Sequence, residues 1–157
     1  MRIVPKVEVI RRLNRIYARI PSFECRHCQQ CSNPIMWCKP EEINIKEYLK
    51  KHNLPYIVWT DEEFIHHHMK CPYLQNNKCI IYPVRPFVCR LQGFISDLPC
   101  PYNEKTLLTE QQFRTIMKEI TDLHRDIDGM DEYYGTRQEI NSNFFHVQKK
   151  LIKPVPF

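Results

Sequence analysis

The chain is predicted to be an α+β domain, predominantly α-helical, small, and gathered around a cysteine-rich centre. Three observations carry this reading. Amphipathic helical periodicity occupies both ends, the middle holds eight cysteines in polar sequence of little periodicity, and the short apolar runs there suit only a small sheet. A length of 157 residues with 43 % hydrophobic content fits a single domain, 1–157, with a modest core. Its cysteine-cluster part runs over about 23–100 and its C-terminal helical part over about 105–151.

The first element is a helix with Val7, Ile10, Leu13, Tyr17 and Ile20 on one face and Arg11, Arg15 and Arg19 on another. Pro5 suits its first turn and Pro21 ends it. The segment 22–40 carries four cysteines and no stripe. A second helix starts at Pro40-Glu41-Glu42, where acids favour the first turn, and continues to about Lys51, with Asn53-Leu54-Pro55 closing it.

Tyr56–Trp59 reads as a short strand. Thr60-x-x-Glu63 is a capping box for a short helix with Phe64 and Ile65 inward. Asn76-Asn77 suits a tight turn between two short strands, setting Cys71 and Cys79 across a hairpin. Arg85-Pro86 opens a helical turn that brings Cys89 to the same place. Thr109-x-x-Gln112 caps a helix with Phe113, Ile116, Met117, Ile120 and Leu123 on one stripe. A last helix is expected over about 137–151, then a non-helical tail, 152–157.

The eight cysteines fall in two runs, Cys25-x2-Cys28-x2-Cys31-x6-Cys38 and Cys71-x7-Cys79-x9-Cys89-x10-Cys100. Such thiols serve a metal, a disulfide framework or an apolar core. The N-terminus has no uninterrupted apolar stretch or cleavage site of an export signal, and no run approaches the roughly 18 residues of a membrane span. A cytoplasmic location without membrane association is therefore expected, where thiols stay reduced, and metal is preferred to disulfides. Cys-x2-Cys turns point two thiolates at one metal while their backbone N–H groups hydrogen-bond the sulfurs. The fourth cysteine of a bacterial ferredoxin run and the paired Cys-x2-Cys of zinc fingers are both missing. The pattern points to metal and leaves its identity open. The formal charge of +5 is no nucleic-acid signal, because two four-thiolate centres would bring it to about +1.

The segment 23–92 resembles the CxxCxxCC cysteine-cluster (YkgJ-type) family, to which zinc or iron chelation is ascribed. The likeness rests on Phe23-x-Cys25-x2-Cys28-x2-Cys31, on Pro40-Glu41-Glu42-Ile43, and on Cys71-Pro-Tyr-Leu…Cys79-x-Ile-Tyr82-x2-Arg85-Pro86-x2-Cys89-Arg90. The family's cysteine doublet is Cys31-Ser32 here, and its usual preceding glycine is Gln29. The resemblance implies Cys25, Cys28, Cys31, Cys71, Cys79 and Cys89 as ligands. Cys38 and Cys100 would complete eight, enough for two centres. It also implies a 4Fe–4S iron–sulfur cluster or Zn2+ as cofactor, and short all-sulfur spacing favours the cluster.

The expected role is electron transfer, metal or cluster delivery, or complex assembly with another protein. One alternative is an enzyme like the related flagellin lysine N-methylases, though only three glycines occur and none forms a cofactor-cradling loop. The other is a zinc-stabilised module binding protein or RNA, with nucleic acid meeting the basic N-terminal helix; a solvated face is the preferred account of those arginines. His66–His68 and His27 stand close to cysteines and read as packed or exposed rings rather than ligands. Arg85 and Arg90 either offset thiolate charge, hold an anion, or pin the Cys89 turn to backbone carbonyls. Glu110, Glu119, Asp122 and His124 lack a Glu-x-x-His spacing and are expected to face solvent, so no catalytic residue is assigned.

Overall fold

The computed structural model describes residues 3–31, 37–103 and 106–128. Within them the fold is helix-dominated with one two-stranded sheet, as the sequence predicts. Helix α1 (Lys6–Tyr17) follows an extended Pro5. Its buried residues are Val9, Leu13, Ile16 and Tyr17, with Ile20 just beyond, while Val7 is 74 % exposed. Leu13, Tyr17 and Ile20 are buried as the expected stripe has them, and Val9 takes the place of Val7 at its start because it packs with Ile43 and Ile127. Two of the three arginines of the basic face hold carboxylates, Arg11 that of Glu8 and Arg19 that of Glu119, and neighbouring Arg12 pairs with Asp126.

Helix α2 (Lys39–Lys51) buries Ile43, Ile45 and Leu49 and ends at Asn53, whose φ of 54° turns the chain. Helix α5 (Glu110–Asp128) starts at the predicted cap: the Thr109 hydroxyl accepts from the Gln112 amide at 3.1 Å and the Gln112 carboxamide accepts from Thr109 at 2.8 Å. It buries Ile116, Ile120, Leu123 and Ile127. Helices α1, α2 and α5 pack together, and their main apolar cluster also takes in Phe87 and Leu91 of α4 (Phe87–Leu91).

The middle of the chain uses local devices. Helix α3 (Asp61–His66) has the reciprocal Thr60–Glu63 capping box. Strands β1 (Leu74–Gln75) and β2 (Lys78–Cys79) pair antiparallel, Leu74 opposite Cys79. Their turn is Asn76-Asn77 with φ of 47° and 63°, the pair of positive values that a type I′ hairpin needs. A 3-10 turn (Tyr82–Val84) leads to α4, which begins after Pro86.

Three expectations are corrected. Residues 56–59 form no strand; Val58 is 75 % exposed and no neighbour among the described residues offers a ladder, although Ile57 donates its amide to the Tyr73 hydroxyl at 2.9 Å. Ile65 points outward, 69 % exposed, while Phe64 packs edge-on against Trp59. His124 is buried rather than solvent-facing, whereas Glu110, Glu119 and Asp122 all hold surface ion pairs. The helix expected at 137–151 and the tail at 152–157 lie outside the described residues. No helix among the described residues is long and apolar enough to cross a membrane.

Candidate metal centre

Segment 22–31 is polar and bends at two non-glycine residues in left-handed conformation, His27 (φ 55°) and Gln29 (φ 65°). These bends curl Cys25, Cys28 and Cys31 toward the hairpin and α4. The result is a cavity of about 130 Å³ whose walls include Cys25, Cys28, Cys31, Cys71, Cys79, Cys89 and Cys100. All eight cysteines are free thiols. Of the seven in the walls, Cys28 and Cys31 are exposed at the mouth and the others half-buried.

Cys38 does not join them. It is 1 % exposed inside the main apolar cluster, at the cap of α2. The sequence makes it a plausible stand-in for the missing second cysteine of the doublet; its burial against Leu13, Tyr17 and Phe87 in the same cluster keeps it from the cavity. His27 lines the cavity, whereas His66–His68 do not, and His67 instead stacks on Trp59 at 4.3 Å. Cys71 sits just before the hairpin and Leu74, not Cys71, opposes Cys79, yet both thiols reach the cavity.

Three of the thiols share one local device. The His27 amide donates to the Cys25 sulfur at 3.3 Å. The Tyr73 amide does the same for Cys71, joined by that of Leu74, and the Ile81 amide for Cys79. In each case the amide two residues on turns back to the sulfur, and it favours the thiolate that a metal requires. Burial opposes ionisation. It raises Cys71 from 9.0 to about 11, with Cys79 and Cys31 adding to the rise and the two amides pulling against it. Burial pushes Cys89 well above its ordinary value, and negative charge on Cys71, Cys79 and Cys31 would push it further. Cys31 is exposed as a residue but its sulfur is partly covered, and that desolvation raises it first, then Cys25, Cys28 and Cys100; burial raises Cys79 despite Arg85. The thiols therefore feel one another across a single space, and a cation at its centre would relieve both penalties at once.

Among the described residues no three Cys, His, Asp or Glu side chains already converge on a single point as ion ligands; the thiols stand around the space as walls. Among the described residues the lining offers seven cysteine sulfurs and the His27 imidazole and no carboxylate, which fits zinc or an iron–sulfur cluster and not a hard cation.

A residue whose place the sequence does not reveal holds this arrangement from behind. Glu41 is fully buried. Its Oε1 accepts from the Tyr17 hydroxyl and from the Phe87 amide, both at 2.6 Å, and its Oε2 accepts from the Cys38 amide at 3.2 Å. Burial raises its carboxyl above 4.5 while those three bonds pull it down. One carboxylate so caps its own helix and α4, the helix that carries Cys89. Arg90 closes the other side, donating to the carbonyls of Arg85 at 2.9 Å and Pro83 at 3.0 Å and lying 4.0 Å over the Tyr17 ring. The pinning of the Cys89 turn is thus visible in the structure.

Gly93 (φ 86°) seats the last cysteine. A β-carbon there would stand 2.9 Å from that of Cys100 and 3.1 Å from the Phe23 ring. The Gly93 carbonyl also accepts from the Asn103 carboxamide.

A model of the CxxCxxCC family, described as a "putative zinc- or iron-chelating domain", matches residues 24–120. No curated protein and no solved structure gives a match.

Proposed function

Because the chain belongs to the CxxCxxCC family, we propose that the seven-thiol cavity holds an iron–sulfur cluster and passes electrons or metal to a partner protein. The observation that carries this reading is the gathering of Cys25, Cys28, Cys31, Cys71, Cys79, Cys89 and Cys100 around one space of about 130 Å³. A lone zinc with thiolates about 2.3 Å away draws its four sulfurs into mutual contact and needs no such room. The volume is roughly ten times the 10–15 Å³ that admits one water, which supports a polynuclear group.

Cys25, Cys71 and Cys79, whose sulfurs accept amide bonds, and Cys89, fixed by α4, are the ligands this arrangement favours. Such amide bonds also tune the potential of a bound cluster. The exposed Cys28 and Cys31 at the mouth offer sulfur ligands to an incoming protein, which suits hand-over of an electron or of metal.

The test is metal and acid-labile sulfide analysis of anaerobically purified protein, with its visible spectrum. Iron and sulfide in near-equal amounts with a chromophore bleached by reductant are expected. Stoichiometric zinc in a colourless, sulfide-free protein would sink the cluster and leave a zinc centre.

A further inference from the structure

Beside the thiol cavity lies an open cleft of about 1100 Å³, and its lining is basic and aromatic. Arg26, Arg85 and Arg90 contribute to it, with Tyr82 and Tyr102. Elsewhere in the fold, Arg11, Arg12, Arg19, Arg114 and Arg125 each hold a carboxylate. The three arginines of the cleft hold none among the described residues. Among the described residues Glu24 is the one carboxylate in the lining, and it forms no ion pair with them.

Two of the guanidiniums are displayed on rings. That of Arg85 lies 3.9 Å over Tyr82, and that of Arg26 lies 5.3 Å over Tyr102. The arrangement is built from two distant stretches, Arg26 from the first cysteine run and Arg85 from the second, so it exists only in the folded chain. Arg85 donates one N–H to the Tyr82 carbonyl at 2.9 Å, which fixes its stem and leaves the rest of the fork toward the cleft. Arg90, tied to two carbonyls, supplies charge at the back. Ring-supported, unpaired guanidiniums are suited to planar, bidentate recognition of an oxyanion.

We propose that this cleft binds a small molecule bearing a carboxylate or phosphate, held between Arg26 and Arg85 beside the thiol-lined centre. The two ring-backed guanidiniums at one end of this open cleft match the size of a single oxyanion group. The proposal rests on the metal-centre reading, since the cysteines of segment 22–31 hold Arg26 in place. It goes beyond that reading by giving the centre a ligand at its side. The competing role, simple offset of thiolate charge, predicts no saturable anion binding.

The test is calorimetric titration of the metal-loaded full chain, kept anaerobic, with inorganic phosphate and separately with succinate at constant ionic strength. Saturable binding of at least one is expected, weakened about tenfold or more by Arg26→Gln and by Arg85→Gln, and unchanged by Arg114→Gln on the far helix. Tighter phosphate binding identifies a phosphoryl ligand, and tighter succinate binding a carboxylate. Because Arg85→Gln also removes a backbone bond, the exposed Arg26→Gln decides if metal content falls in the former. Absence of saturable binding, or binding that survives both substitutions at unchanged metal content, overturns the proposal. Metal is assayed on the same samples, so a wild-type chain that takes up no metal refutes the centre rather than the cleft.

Discussion

Replacing Glu41 by alanine is the sharpest probe of how the thiol centre is held. The change removes the acceptor of the Tyr17 hydroxyl and of the Phe87 amide, both 2.6 Å from Oε1, and of the Cys38 amide at 3.2 Å. Tyr17 and Phe87 are 5 % and 1 % exposed, so water does not replace the lost partner. Each stranded buried donor costs about 1–3 kcal/mol, so the two donors of the short bonds alone give about 2–6 kcal/mol, before the longer Cys38 bond is counted. Burying the carboxylate is itself unfavourable, as its raised pKa records, and losing that cost offsets part of the damage. A net loss of about 3 kcal/mol follows, or roughly 6–12 °C in Tm for a chain of this length. Glu41→Gln keeps the shape and one acceptor oxygen but turns an NH2 toward a donor, and about half the loss is expected. Thermal unfolding followed by circular dichroism, on samples matched for metal content, measures both. A Glu41→Ala protein melting within about 2 °C of the parent would refute the assignment of this carboxylate as the tie between α1, α2 and α4.

Other substitutions separate core from centre. Cys71→Ser and Cys89→Ser should each sharply lower bound metal, whereas Cys38→Ala should keep metal content and lose about 1 kcal/mol of stability as a core truncation; metal analysis with a melting curve distinguishes them. Gly93→Ala combines a left-handed φ of 86° with a contact of 2.9 Å to the Cys100 β-carbon, and a loss of about 2–4 kcal/mol is expected in the same melting assay. In metal-free protein, thiols raised by burial stay protonated in the fold while their unfolded counterparts ionise from about pH 9. Stability should therefore hold up to that pH and fall as pH rises toward about 11, the value for Cys71, by about 1.4 kcal/mol per unit for one such thiol. Urea titrations at several pH values check this, and metal-loaded protein, its ligand thiols already deprotonated, should show a much smaller decline.

The sequence was most legible where structure is set by neighbours in the chain. Thr60 and Glu63, Thr109 and Gln112, and Asn76-Asn77 each satisfy a local hydrogen-bond or dihedral requirement, and all three form as read. Apolar runs were less informative. Tyr56–Trp59 has strand-like residues but no partner edge among the described residues, and a strand without one gains no ladder bonds. In α1 the periodicity accommodates either Val7 or Val9, and only the packing partners Ile43 and Ile127 choose. The cysteines showed the same division. Spacing grouped them as metal-seeking, yet nothing in spacing says that Cys38 turns into the core, because that depends on helices α1, α4 and α5 arriving around it. Glu41 reads as a helix-start acid from sequence. Its second role needs Phe87, 46 residues away, to come within reach.

Helix α4 is where these two kinds of order meet. Five residues are too few to persist as a helix alone, since an isolated helix is marginal below about 12–15 residues. Phe87 and Leu91 anchor it in the apolar core, Glu41 caps its first amide, and Cys89 and Arg90 face the centre and the cleft. Every support from the core side therefore also positions a thiol. By linkage, a metal bound to Cys89 in the folded chain stabilises Phe87 and Leu91 in their packing, and weakening that packing raises the free energy of the bound centre by the same amount. Metal affinity and core stability in this chain are then two readings of one equilibrium, with α4 as the element through which they are joined.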